Sequence, residues 1–192
     1  MSRDMAPSSE RPPAKVALVG MMGTGKSSVA AGVAAALNWK AVDVDSEIEA
    51  QVGRSIAEIF AGMGESGFRE VEAAMVEIVF DRGEDCVVAL GGGAVLTEST
   101  RNRLGECSAV VWLHAEPAVL ARRLAGDASR PMLAGDPLAR LDALSRERED
   151  LYRSVATHDI EVNELSVDEV VAVVVDIIRD TVVIGLPDPA RY

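Results

Sequence analysis

Apolar positions along this chain follow two rhythms, short unbroken runs and longer stretches in which they return every third or fourth residue. The unbroken runs predict strands at Lys15–Gly20, Lys40–Val44, Cys86–Leu90, Ala109–Leu113 and Asp159–Val162. Continuous runs are what a strand buried on both faces requires. The longer rhythm predicts helices at Ser27–Leu37, Asp45–Phe60, Glu65–Asp81, Thr97–Leu104, Pro117–Leu124 and Ser166–Asp180, and a charged helix ending at Tyr152. Pro117 suits a first helical position, and Ser166 with Glu169 has capping-box spacing. Gly53, Gly62, Gly64 and Gly67 punctuate the region of the second and third helices.

Strands alternating with helices imply a three-layer α/β/α fold around a mostly parallel sheet, with ligands at the carboxyl ends of the strands. Residues 1–14, bearing Pro7, Ser8, Ser9, Pro12 and Pro13 without periodicity, read as a disordered lead-in. Residues 15–180 read as a single domain and 181–192 as a loose tail, with no internal repeat. Gly126 to Pro137 is a polar loop with glycine and proline, of the length expected for a mobile lid.

A chain of 192 residues that is 48% hydrophobic has the apolar content for one substantial core. Its net charge of −12 argues against a nucleic-acid or acidic-membrane partner. An anionic ligand would therefore need basic residues gathered locally. Cys86 and Cys107 adjoin apolar runs, with neither a C-x-x-C pair nor a nearby His, and read as buried thiols rather than metal ligands. His114 and His158 lie far apart without a catalytic partner and read as structural. No apolar segment is long enough to span a membrane, residues 1–14 lack a secretory apolar stretch, and Asp4 and Glu10 count against a transit peptide. A cytoplasmic protein is expected, and a monomer, since no exposed apolar stripe stands out.

The candidate chemistry begins at Gly20–Ser27, a complete G-x-x-x-x-G-K-[ST] loop between a predicted strand and a predicted helix. Gly20, Gly23 and Gly25 free the backbone to turn its N–H groups around a polyphosphate, Lys26 reaches the β and γ phosphates, and the helix N-terminus adds positive dipole. Ser27 offers its hydroxyl to the Mg²⁺ that travels with the nucleotide. Gly23, Thr24, Gly25, Lys26, Ser27 and Ser28 are the candidate nucleotide contacts. Asp43-Val-Asp45 closes the second strand, where alternation would send both carboxylates to one side. One would hold Mg²⁺ and the other would meet an acceptor hydroxyl; the alternative is a helix cap beside a solvated carboxylate. Gly91, Gly92 and Gly93 follow a buried strand and allow close backbone approach to a ligand, although glycines also serve ordinary turns. Arg69 and Glu72 share a helical turn, Arg130 lies in the predicted lid, and Arg148 sits in a charge run whose default is a solvated face.

Taken in order, the loop, the Asp43/Asp45 pair, Gly67-Phe-Arg69 with Glu72, the glycine triplet, Arg130-Pro131, and Arg148 before Leu151-Tyr152 resemble the shikimate kinase family of phosphate-loop kinases. The resemblance runs from Lys15 to about Asp180. It implies transfer of the ATP γ-phosphoryl group to the 3-hydroxyl of shikimate, in the pathway to chorismate and the aromatic amino acids. It further implies that Arg69 and Arg148 hold the substrate carboxylate, and that Asp45 and the backbone of Gly91, Gly92 and Gly93 meet its hydroxyls. Asp45 would orient and deprotonate the attacking hydroxyl, while Lys26 and Arg130 would stabilise the transferring group. Mg²⁺ would sit near Ser27 and Asp43, and Arg123 would stack on adenine. This chain departs from the family pattern at Asp150, where many members have proline, so the helix carrying Arg148 is expected to continue unbroken. Asn163-Glu-Leu-Ser166 likewise lacks the usual adenine-side proline. The competing readings are a gluconate kinase-like enzyme and a catalytically silent nucleotide-binding regulator of the same fold. The whole reading requires the two arginines to face the glycine corner and to share a cavity with the phosphate loop.

Overall fold

The computed structural model describes residues 12–125 and 136–182. Five strands, β1 (Lys15–Val19), β2 (Lys40–Asp43), β3 (Cys86–Ala89), β4 (Ala109–His114) and β5 (His158–Glu161), form one sheet in the order β2-β3-β1-β4-β5. Every pairing is parallel, so the sheet is wholly rather than mostly parallel. Seven helices accompany it among the described residues: α1 (Lys26–Leu37), α2 (Val44–Val52), α3 (Ile56–Phe80), α4 (Glu98–Leu104), α5 (Pro117–Arg123), α6 (Pro137–Val155) and α7 (Val167–Val182).

Successive strand residues point to opposite faces, and here both faces are covered. Val16, Leu18, Val87, Ala89, Val111 and Leu113 pack with Val29 and Val33 of α1 and Val170 and Val174 of α7. Ala17, Val19, Val88 and Val110 pack on the other face with Ile48, Met75, Val76 and Val79 from α2 and α3, and Leu141, Leu144 and Tyr152 from α6. Cys86 is buried and Cys107 half-buried, both as free thiols. Desolvation pushes both above the usual thiol range, Cys107 to about 12. His114 lies 3.4 Å from Asp159 at the β4–β5 edge, and the His158 ring lies beside the Thr157 hydroxyl at 3.0 Å.

The helix expected over residues 45–60 is divided. Gly53 at φ 70 ends α2, its N–H bonding Glu49 O, and Ser55 starts α3 with a capping box to Glu58. Ile56 N–H also donates to the Glu49 carboxylate at 2.8 Å, tying the two helices at their junction. The gap expected between residues 60 and 65 is instead a kink inside α3 at Gly64, φ 71 and ψ −178. Pro137, assigned by sequence to the lid, already belongs to α6, with Asp136 capping that helix through Ala139 N–H at 3.1 Å. The capping box at Ser166 and Glu169 is formed. None of the described helices is long and apolar enough to cross a membrane.

Candidate active site

The phosphate loop leaves β1 at Gly20, whose φ of 138 lies in the region side chains rarely adopt. A Cβ there would stand 2.1 Å from Leu113 O on neighbouring β4, so both the conformation and the packing demand glycine. The loop then winds back on itself. Thr24 Oγ1 donates to Met21 O at 2.8 Å, and Lys26 Nζ donates to Gly20 O at 2.7 Å and Met21 O at 2.9 Å. The buried lysine thus lies across the loop it follows. Helix α1 starts from Gly25 with no side-chain cap and no acidic residue in its first turn, leaving its positive end open to an anion. Ser27 and Ser28 are exposed at that end.

Asp43 and Asp45 are not two positions of one strand. Strand β2 ends at Asp43 and the chain is helical from Val44, because Asp43 Oδ1 caps α2 by accepting the Ser46 N–H at 3.1 Å. Its other oxygen accepts the Ser27 hydroxyl at 2.5 Å. Asp43 therefore both caps a helix and meets the phosphate loop, and the residues proposed for the metal are in direct contact. Asp45 reaches its place from the first turn of α2.

The glycine triplet after β3 is where the other candidates meet. A Cβ on Gly91 would lie 2.4 Å from Glu72 Oε1 and 3.0 Å from Asp45 Oδ1. One on Gly92 would lie 3.3 Å from Met22 N in the phosphate loop, and one on Gly93 would lie 2.0 Å from Arg69 Nη2. From α6, Arg148 Nη1 donates to Gly92 O at 3.2 Å, and the Tyr152 hydroxyl donates to the same carbonyl. Arg148, read from its charge run as solvent-facing by default, is 2% exposed. Helix α6 runs unbroken past Asp150, as the missing proline implied.

Arg69 is held on several sides. Nη1 donates to Glu72 Oε2 at 2.6 Å, Nη2 donates to Glu65 Oε1 at 3.3 Å, and the guanidinium carbon lies 5.2 Å from the Phe68 ring centre and 5.9 Å from that of Phe60. Desolvation holds the Glu72 carboxyl above the ordinary carboxylate range, opposed by Arg69 and Arg148 and reinforced by the Asp45 charge. Glu72 Oε1, at the Gly91 corner, is buried with no hydrogen-bond partner. Such an atom, beside Asp45 and two guanidinium groups, suits a polyhydroxylated acid: hydroxyl donors for the carboxylates and a carboxylate for the arginines.

On the nucleotide side, Arg123 Nη2 donates to Val162 O at 2.6 Å and Asn163 O at 3.4 Å, at the carboxyl end of β5. Arg130 and most of the expected lid lie outside the described residues. Sequence reasoning gave Tyr152 and Phe60 no role. Tyr152 stands four residues after Arg148 on one helical face, a spacing that places the two together, whereas Phe60 stacks on Phe68 at 4.3 Å across the kink at Gly64, which helical spacing does not signal.

A phosphate loop at the end of a parallel sheet, opening beside a corner of carboxylates and guanidinium groups, defines a phosphate-loop kinase acting on a small molecule. The family model for shikimate kinase matches residues 22–179. A shikimate kinase of Corynebacterium efficiens is 42% identical, covering 86% of this chain and 96% of that one. The structure of the Acinetobacter baumannii shikimate kinase in complex with shikimate is similar at a TM-score of 0.82 and 32% identity, covering 91% of this chain and 96% of that one. A gluconokinase from Sinorhizobium meliloti, at a TM-score of 0.61 and 22% identity, covers 93% of this chain and 100% of that one and shares the fold alone. The chain belongs to the shikimate kinase family of ATP-dependent kinases.

Proposed function

We propose that this chain transfers the γ-phosphoryl group of ATP to the 3-hydroxyl of shikimate, releasing ADP and 3-phosphoshikimate. What supports this reading most is the convergence of Asp45, Glu72, Arg69 and Arg148 on Gly91–Gly93, with Gly92 against the backbone of the phosphate loop. Arg69 and Arg148 bind the ring carboxylate, for which planar guanidinium groups are suited. Asp45 accepts the proton of the attacking hydroxyl as its oxygen forms a bond to the γ-phosphorus and the bond to the bridging oxygen of ADP breaks. Lys26, now bonded to loop carbonyls, turns to the β and γ phosphate oxygens and offsets their charge.

Ser27 and Asp43 form a hard-oxygen pair that fits Mg²⁺, and they would hold it at the mouth of the phosphate loop. The bound ion would add positive charge near the phosphates. Gly23, Thr24, Gly25 and Ser28 contribute the remaining loop contacts, and Arg123 flanks the adenine. The role of Arg130 in steadying the transferring group rests on family resemblance, as do the boundaries of a single kinase domain over residues 15–180. A cytoplasmic monomer completes the reading; two free thiols suit a reducing compartment.

The test is ADP release measured with purified protein, ATP and Mg²⁺. Turnover dependent on shikimate is expected. Equal or greater turnover with gluconate would reject the assignment, and no turnover with either would favour a silent nucleotide-binding protein.

A further inference from the structure

Arg69 divides its guanidinium between two carboxylates of its own helix. Nη1 donates inward to Glu72, whose side chain is 1% exposed, and Nη2 donates outward to Glu65, whose side chain is 56% exposed. Nη2 is also the atom nearest the Gly93 corner. Glu65 directly follows the Gly64 kink, so it opens the half of α3 that carries Arg69. The two contacts differ in kind: Glu72 is a buried anchor, whereas Glu65 is a wet partner four residues from the arginine.

We propose that Glu65 is a resident stand-in for the substrate carboxylate, occupying the outer edge of Arg69 until the acid displaces it. This rests on the reading that Arg69 receives the carboxylate of shikimate. One guanidinium edge accommodates one carboxylate in parallel hydrogen bonds, and a second anion at Nη2 would be repelled by Glu65 as well as by buried Glu72. An exposed i,i+4 pair is weak enough to exchange, and an anionic ligand replaces the lost contact with an equivalent one. A neutral ligand offers no equivalent and leaves Glu65 in place. Glu65 is thus a positioning residue, acting through Arg69 to set affinity and to favour an acid over its uncharged analogue.

The experiment compares steady-state kinetics of the full chain and Glu65→Gln with shikimate and with its methyl ester. The variant is expected to lower KM for shikimate about two- to fivefold, the scale of an exposed ion pair, with kcat and KM for ATP unchanged and no gain for the ester. A KM for shikimate that stays or rises, or equal shifts for acid and ester, would overturn the proposal. Thermal midpoints, with Glu65→Ala as a second variant, separate these results from misfolding. Arg69→Ala separates the two layers of the argument. If it leaves KM for shikimate unchanged, the carboxylate reading itself fails; if it raises KM while Glu65→Gln has no effect, only the stand-in fails.

Discussion

The phosphate loop and the acceptor corner meet at Gly92, yet they are built in opposite ways. The loop is nearly contiguous in sequence, and its internal bonds join neighbours: Thr24 to Met21, Lys26 to Gly20 and Met21. The corner draws Asp45 from α2, Arg69 and Glu72 from α3, the triplet from the end of β3 and Arg148 from α6. Their glycines also confront different neighbours. Gly20 faces the backbone carbonyl of Leu113, which the sheet holds in place, while Gly93 faces the far end of the Arg69 side chain, which can move. A single methyl group should therefore damage the fold in one region and the site in the other.

Gly20→Ala is the most severe change expected. It combines φ 138 with a backbone contact of 2.1 Å. The cost is about 3 kcal/mol or more in chemical denaturation. A variant as stable as the parent would erase the contrast. Asp45→Asn should lower kcat by about a hundredfold or more while nucleotide binding, followed by calorimetry, stays nearly intact. Unaltered turnover would remove Asp45 from the chemistry.

Gly93→Ala has no backbone strain to bear, since φ is −102, but its methyl displaces Arg69 Nη2. KM for shikimate should rise about tenfold, the worth of one charge-assisted hydrogen bond, with KM for ATP unchanged. A parallel rise in both would show that the two regions are not separable. Glu72→Gln is read through the trend of stability with pH rather than its absolute level, since the substitution also alters the buried contact with Arg69. Burial raises the Glu72 pKa above its ordinary 4.5, so this group's contribution to stability is present below that pH and is lost as pH rises through the folded-state value. The glutamine variant does not titrate and should gain stability relative to the parent as pH is raised above 4.5. The opposite trend in denaturation would mean that Arg69 outweighs desolvation.

The strand–helix alternation and the phosphate loop were legible because each depends on residues close in sequence. The break at Gly53 was less so: the helical period continues through it, and only the left-handed glycine with the Ser55–Glu58 capping box ends one helix and starts another. Asp43 and Asp45 were assigned to the right neighbourhood by the wrong geometry, since a side-chain cap stopped the strand one residue earlier than its pattern implied. Arg148 reads as surface in a charge run, but α6 packs that side of its helix on the triplet.

Local order thus followed from the amino acids alone: buried parallel strands from unbroken apolar runs, and a phosphate cradle from glycines whose backbone freedom no neighbour has to supply. Which charges became buried, and which carboxylate faced which guanidinium, was settled by packing. Helix α6 carries charged groups on several sides, and the side turned inward, with Arg148 on it, is chosen by Leu141, Leu144 and Tyr152 and by the sheet they cover.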